Sequence, residues 1–189
     1  MKKEELLGLL EDTPVIAAVK SMEGLEKCLA CGSKVVFILF GDIINIADIV
    51  ARIKDAGKAA FVHLDLVGGL SAKEIAVDFL IKNTRADGVI STKQPLVRYA
   101  KSRGLLTVQR FFVLDSMALS NVQKHMNLEC VDLVEILPGV MPKIIKELAA
   151  EAKTPIVAGG LIRDKEDIVM ALGAGAIAIS STDSAVWFM

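Results

Sequence analysis

Two short stretches near the carboxyl end carry the groups that an anion needs. In Ala158-Gly159-Gly160-Leu161, the glycines let backbone N–H groups approach a ligand with no Cβ in the way. Ser180 and Ser181, just before Thr182, add small hydroxyl donors. Phosphate suits this pairing; the plain alternative at Gly159 and Gly160 is a tight turn. Lys20, Lys93 and Arg110 each close an apolar run, and each either neutralises an anion, forms a Schiff base if it is a lysine, or is a solvated loop charge. Asp65 and Glu135 are candidate acid–base or hydroxyl-binding carboxylates, against the alternative of simple pairing with those cations. The only two histidines, His63 and His125, are far apart, so neither a metal site nor a Ser-His-Asp triad is supported. There is no Walker loop or dinucleotide fingerprint, and no cofactor or metal is expected.

These residues recur at one place in a repeating pattern: a short β-branched run, a turn with Gly, Asp, Ser or Lys, then an amphipathic stretch. Strands are expected at Val15–Val19, Val35–Leu39, Ala60–Leu64, Gly88–Ser91, Leu105–Gln109, Leu133–Ile136, Ile156–Ala158 and Ala176–Ser180. Most are apolar at successive positions, as parallel strands buried on both faces are. Helices are expected at Lys3–Leu10, Glu23–Ala30, Ile46–Ala56, Ala72–Asn83, Pro95–Ser102, Ser116–Met126, Pro142–Ala152 and Lys165–Leu172. Gly57, Gly104 and Gly173 read as C′ glycines, and Ser71 with Glu74 as a capping box. Strands alternating with helices mean a parallel α/β fold, either a closed barrel or an open doubly wound sheet. A faint echo of Pro14–Ala18 at Pro155–Gly159 favours the barrel. In a barrel the chemistry collects where strands end, and phosphate often sits between the seventh and eighth loops, where the glycines and serines above fall.

The expectation is therefore a compact (β/α)8 TIM-type barrel forming one domain over residues 1–189. The sequence stops soon after the eighth strand, so the final helix must be reduced or missing. Val186, Trp187 and Phe188 would lie at the bare place, which either the chain's own tail or a partner subunit of a homo-oligomer would cover. The composition is 53% hydrophobic with mean hydropathy +0.51. No apolar run reaches the roughly 18–20 residues of a membrane span, and the start has no signal-peptide core, so a cytoplasmic protein is expected. A net charge of −1 excludes a whole-surface basic field for nucleic acid, though not a local patch. Cys28 and Cys31 form a C-x-x-C inside an apparent helix without further ligands nearby, and are expected to be ordinary buried or half-buried thiols.

The chain resembles the glycerol-3-phosphate-responsive antiterminators, the glycerol uptake operon antiterminator regulatory proteins. The resemblance rests on PVIAAVK (14–20), HLDLVGGL (63–70), GVISTK (88–93), QRFFVLDSMAL (109–119), EILPG (135–139), PIVAGGLI (155–162) and the closing 171–187. These blocks cover nearly the whole chain in order. The resemblance implies a non-enzymatic regulator of glycerol metabolism that binds glycerol 3-phosphate and then acts on leader mRNA to cause transcription antitermination. Phosphate would sit at Gly159, Gly160, Ser180 and Ser181, with Lys20, Asp65, Lys93 and Glu135 as polyol or charge partners. Gly68 departs from the family pattern, which usually has a carboxylate there. RNA contacts leave a fainter trace: Lys101, Arg103, Arg110 and Lys124 are the candidates, against the alternative of solvated surface charge. Two other readings stay open: a phosphometabolite-converting barrel enzyme of the aldolase or isomerase type, and a ligand-binding protein without RNA activity.

Overall fold

A computed structural model describes residues 1–189. Eight parallel strands close into a barrel in sequence order: β1 (Val15–Val19), β2 (Val35–Ile38), β3 (Ala59–His63), β4 (Gly88–Ser91), β5 (Leu106–Phe112), β6 (Leu133–Leu137), β7 (Ile156–Gly159) and β8 (Ala178–Ser181). Helix α1 (Lys3–Asp12) precedes β1. Helices α2 (Met22–Ala30), α3 (Ile46–Asp55), α4 (Glu74–Asn83), α5 (Gln94–Ser102), α6 (Ser116–His125), α7 (Pro142–Glu151) and α8 (Lys165–Gly173) follow the first seven strands. The closed barrel thus prevails over the open sheet. After β8 the chain makes one 3-10 turn, Val186–Phe188, in place of a helix. The tail covers its own gap: Trp187 is buried, joins the cluster around Val19 and Leu25, and donates its indole N–H to the Ser181 carbonyl at 2.7 Å.

The barrel interior is filled by matched large and small residues. Phe37 and Phe61 lie with ring centroids 5.9 Å apart, and Ala18, Ala59 and Ala178 leave them room. Gly88 is glycine because a Cβ there would run into the Phe61 ring and the Leu106 carbonyl. Leu6 and Leu10 of α1 belong to the same cluster, so this helix plugs the amino-terminal end of the barrel. Two equivalent ionic clamps close that end on the outside. Asp87 accepts from the Ala60 N–H and from Lys54 of α3; Asp132 accepts from the Thr107 N–H and from Lys101 of α5.

Several local expectations need correction. β5 continues through Arg110 to Phe112, past the expected end at Gln109, because Arg110 faces inward and finds a buried partner. Ser71 does not cap α4, which starts at Glu74 behind Lys73 with no side-chain cap. Gly173 is the last residue of α8, and the left-handed turn comes at Gly175 (φ 105°); Gly57 and Gly104 do take positive φ after their helices.

Candidate functional site

The carboxyl ends of the strands form a mouth with two polar levels. The inner level grows from strand register: Arg110 on β5 is paired with Glu135 on β6, and both point inward. Arg110 donates from Nε to Glu135 Oε2 at 2.6 Å, and the Ser180 hydroxyl of β8 donates to Glu135 Oε1 at 2.6 Å. Glu135 is wholly buried, so these contacts replace the water that its charge has lost. Gly159 makes this possible. A Cβ there would lie 2.6 Å from both Glu135 Oε1 and Ser180 Oγ, so its missing side chain is the space through which that hydrogen bond passes.

His63, at the end of β3, completes the inner level. Its side chain is buried and its Nδ1 has no hydrogen-bond partner, lying 4.0 Å from Asp65 Oδ2. Burial first, and then the nearby Arg110 charge, push its pKa down to about 4, so the ring is neutral at pH 7. Asp65 sits on the rim and ties β3 to β4: it accepts from the Ser91 hydroxyl and from the Thr92 N–H and hydroxyl. Burial alone would raise its pKa, but those hydrogen bonds outweigh it and hold the carboxyl below its ordinary value. Lys93 is exposed, with Nζ 4.0 Å from Asp65.

The outer level is a cleft of about 430 Å³ between the loops after β7 and β8 and the end of β1. Lys20, Leu161, Ile162, Arg163, Ser181, Thr182, Asp183 and Ser184 line it. The Ser181 hydroxyl donates to the Ile162 carbonyl and accepts from the Asp183 N–H, and the Ser180 proton goes to Glu135. The two serine hydroxyls are thus engaged in building the cleft's walls. The lining residues leave as donors the Lys20 and Arg163 side chains, the Thr182 and Ser184 hydroxyls, and the N–H groups of Leu161, Ile162, Thr182 and Ser184, which have no protein acceptor. Leu161 holds φ at 63°, a left-handed conformation that costs a non-glycine residue about 1 kcal/mol or more, and Gly160 beside it has φ 76°. Two successive left-handed residues turn the loop over the cleft.

The site residues read from the sequence are thus brought to one end of the barrel but divided between levels. Lys20 and Ser181 line the outer cleft; Gly159 and Gly160 do not, Gly159 facing Glu135 and Ser180 and Gly160 facing Leu137. Glu135 and Ser180 are inside, and Asp65 and Lys93 are on the far rim. The expected RNA-facing set does not form one surface. Arg110 is inside the barrel, paired with Glu135, because that carboxylate needs a partner. Lys101 and Arg103 stand at the amino-terminal end, engaged by Asp132 and Asp78, with only Lys124 exposed and unpaired. Gly68 also stands apart from the inner level. It pairs with Asp42, whose carboxylate is occupied by the Ile44 and Asn45 N–H groups, and a side chain at 68 would press on Asp42 Cβ at 3.3 Å. Arg163 is the cleft residue that the sequence did not single out, although it lies two residues beyond the Ala158–Leu161 motif; Thr182, Arg110 and His63 were already visible as polar residues at strand ends.

A family model described as glycerol-3-phosphate responsive antiterminator matches residues 15–187. The chain is 41% identical over 182 residues to the uncharacterized protein YgcP of Escherichia coli (strain K12), covering 96% of this chain and 95% of that one. Two solved structures are similar over 93% of the chain. One is the glycerol uptake operon antiterminator regulatory protein from Listeria monocytogenes (29% identical, TM-score 0.86, 95% of that chain). The other is a glycerol uptake operon antiterminator-related protein from Thermotoga maritima (34% identical, TM-score 0.80, 98% of that chain).

Proposed function

The chain belongs to the glycerol-3-phosphate responsive antiterminator family, and from that membership we propose that it binds glycerol 3-phosphate at the barrel mouth and then acts on leader mRNA in the cytoplasm, so that transcription passes a terminator. The family gives it a regulatory role in glycerol metabolism. One observation supports the ligand above others: four residues lining one cleft have N–H groups without protein acceptors, and the same cleft carries two cationic side chains. A phosphate dianion accepts from such donors and gains from both charges, and the loops after the seventh and eighth strands are where barrels often hold one. Asp183 is the single carboxylate lining the cleft, which leaves the lining cationic.

Coupling to RNA needs a ligand that binds one state of the protein better than another. The loop carrying Leu161 and Arg163 is the element such a ligand would bias, since an anion relieves the mutual repulsion of Lys20 and Arg163 and takes up the loop's unused N–H groups. The Schiff-base alternative has less support. Lys20 and Lys93 are both exposed, without the dry surroundings that a Schiff-base lysine uses. The test is the affinity for a glycerol-operon leader RNA with and without saturating glycerol 3-phosphate. A change of about ten-fold is the expected result, corresponding to a coupling of about 1.4 kcal/mol. Equal affinity in both conditions rules the proposal out.

A further inference from the structure

We propose that the inner level of the mouth binds an alcohol group of the ligand between Arg110 and His63, and that this contact selects a hydroxylated phosphate over its deoxy and carboxylated counterparts. The inference rests on reading the outer cleft as the phosphate site. Arg110 uses only Nε on Glu135; its two terminal nitrogens have no protein partner and are not sealed off from the mouth. They are donors held in place by a carboxylate that already balances their charge. His63 supplies the complementary half. Asp65 Oδ2, 4.0 Å from Nδ1, is too far to accept a hydrogen bond from it but puts negative charge on that side of the ring, and the proposed tautomer carries its proton on Nδ1. Nε2 is then a lone-pair acceptor, and it too has no protein partner and is not sealed.

An alcohol is the group that fits between a fixed donor and a fixed acceptor, because it accepts through oxygen and donates through its proton. A carboxylate does not: it has no proton for Nε2, and it would add a second negative charge beside Glu135. A methyl group does not either, since it leaves both polar partners unsatisfied in a buried place. The two levels are within reach of one small ligand. Ser180 contacts Glu135 inside while its neighbour Ser181 lines the cleft, and successive strand residues advance by about 3.3 Å. A glycerol phosphate in the cleft carries its nearer hydroxyl a few bonds from phosphorus, toward Ser180, Glu135 and the Arg110 bound to it, with His63 facing them across the mouth.

The experiment is calorimetric titration of the full chain and of His63→Leu and His63→Gln with four probes: glycerol 3-phosphate, n-propyl phosphate, phosphoglycolate and inorganic phosphate. Circular dichroism confirms that each variant is folded. The wild-type chain is expected to bind glycerol 3-phosphate at least about ten-fold more tightly than n-propyl phosphate or phosphoglycolate. In His63→Leu that preference should disappear while affinity for inorganic phosphate is unchanged, and His63→Gln, which keeps an acceptor, should recover part of it. If wild type prefers glycerol 3-phosphate and His63→Leu retains the full preference, the inner-level assignment is wrong and the cleft assignment stands. The same follows if wild type binds all the organic phosphates alike. If no phosphate binds the wild-type chain, the reading of the cleft fails, and this inference fails with it.

Discussion

The two halves of the barrel interior are built on opposite principles. The amino-terminal half is apolar throughout: Phe37, Phe61, Ile90, Val108 and Leu133 fill it, and Leu6 and Leu10 of α1 close it from below. The carboxyl-terminal half, reached by moving two residues along the same inward-facing rows, holds His63, Arg110 and Glu135. Each apolar residue below is satisfied by contact alone, so that half is stable without a ligand. The polar residues above are only partly satisfied by one another: Glu135 has both oxygens engaged, while Arg110 has unused donors and His63 an orphan nitrogen. Stability is concentrated below and unsatisfied polarity above, and the latter is where binding is worth most.

This contrast can be broken at several points. Glu135→Leu leaves the Arg110 charge buried without a counter-ion and should lower stability to urea unfolding by about 3–5 kcal/mol, most of which a paired Arg110→Met change should restore. Leu10→Ala opens a cavity at the opposite end and should cost about 3 kcal/mol. It should leave ligand affinity unchanged, which separates the two halves by function.

His63 makes the upper half sensitive to acid. Its unfolded form takes up a proton near the ordinary pKa of about 6.5, but the folded form only near about 4. The unfolded state therefore binds more protons between those values, and folding stability should fall as pH drops from about 6.5 to about 4, by roughly 2–3 kcal/mol. Asp65, held below its ordinary carboxyl value beside His63, adds its own loss only in more acid solution. In His63→Leu the stability profile from pH 6.5 to 4 should be flatter; an unchanged slope would show that another group carries it. The smallest effect is expected at Gly159→Ala. Its Cβ would intrude on the Glu135–Ser180 hydrogen bond, costing about 1–3 kcal/mol in thermal or urea unfolding.

The sequence made the scaffold more legible than the site. Continuous apolar runs such as Val35–Ile38 and Gly88–Ser91 read directly as buried parallel strands. Arg110 shows where such reading stops. A charged residue after TVQ resembles a strand end, and only the register of β5 against β6 shows that it has Glu135 beside it. Gly159 is similar. Its type was visible, but its reason, room for a hydrogen bond between residues 45 positions apart, arises only in three dimensions. The serines taken as phosphate donors are turned toward protein acceptors for the same reason, and the cleft-lining residues Leu161, Ile162, Thr182 and Ser184 keep backbone N–H groups without protein acceptors, which no sequence displays.

The most direct measurement is an amide NMR titration of the isotopically labelled chain with glycerol 3-phosphate. Saturable shifts should appear at the N–H groups of Leu161, Ile162, Thr182 and Ser184, with a smaller response at His63 and Arg110 and none in α1. Shifts concentrated at the amino-terminal end, or a spectrum unmoved by the ligand, would contradict the placement of the site at the mouth.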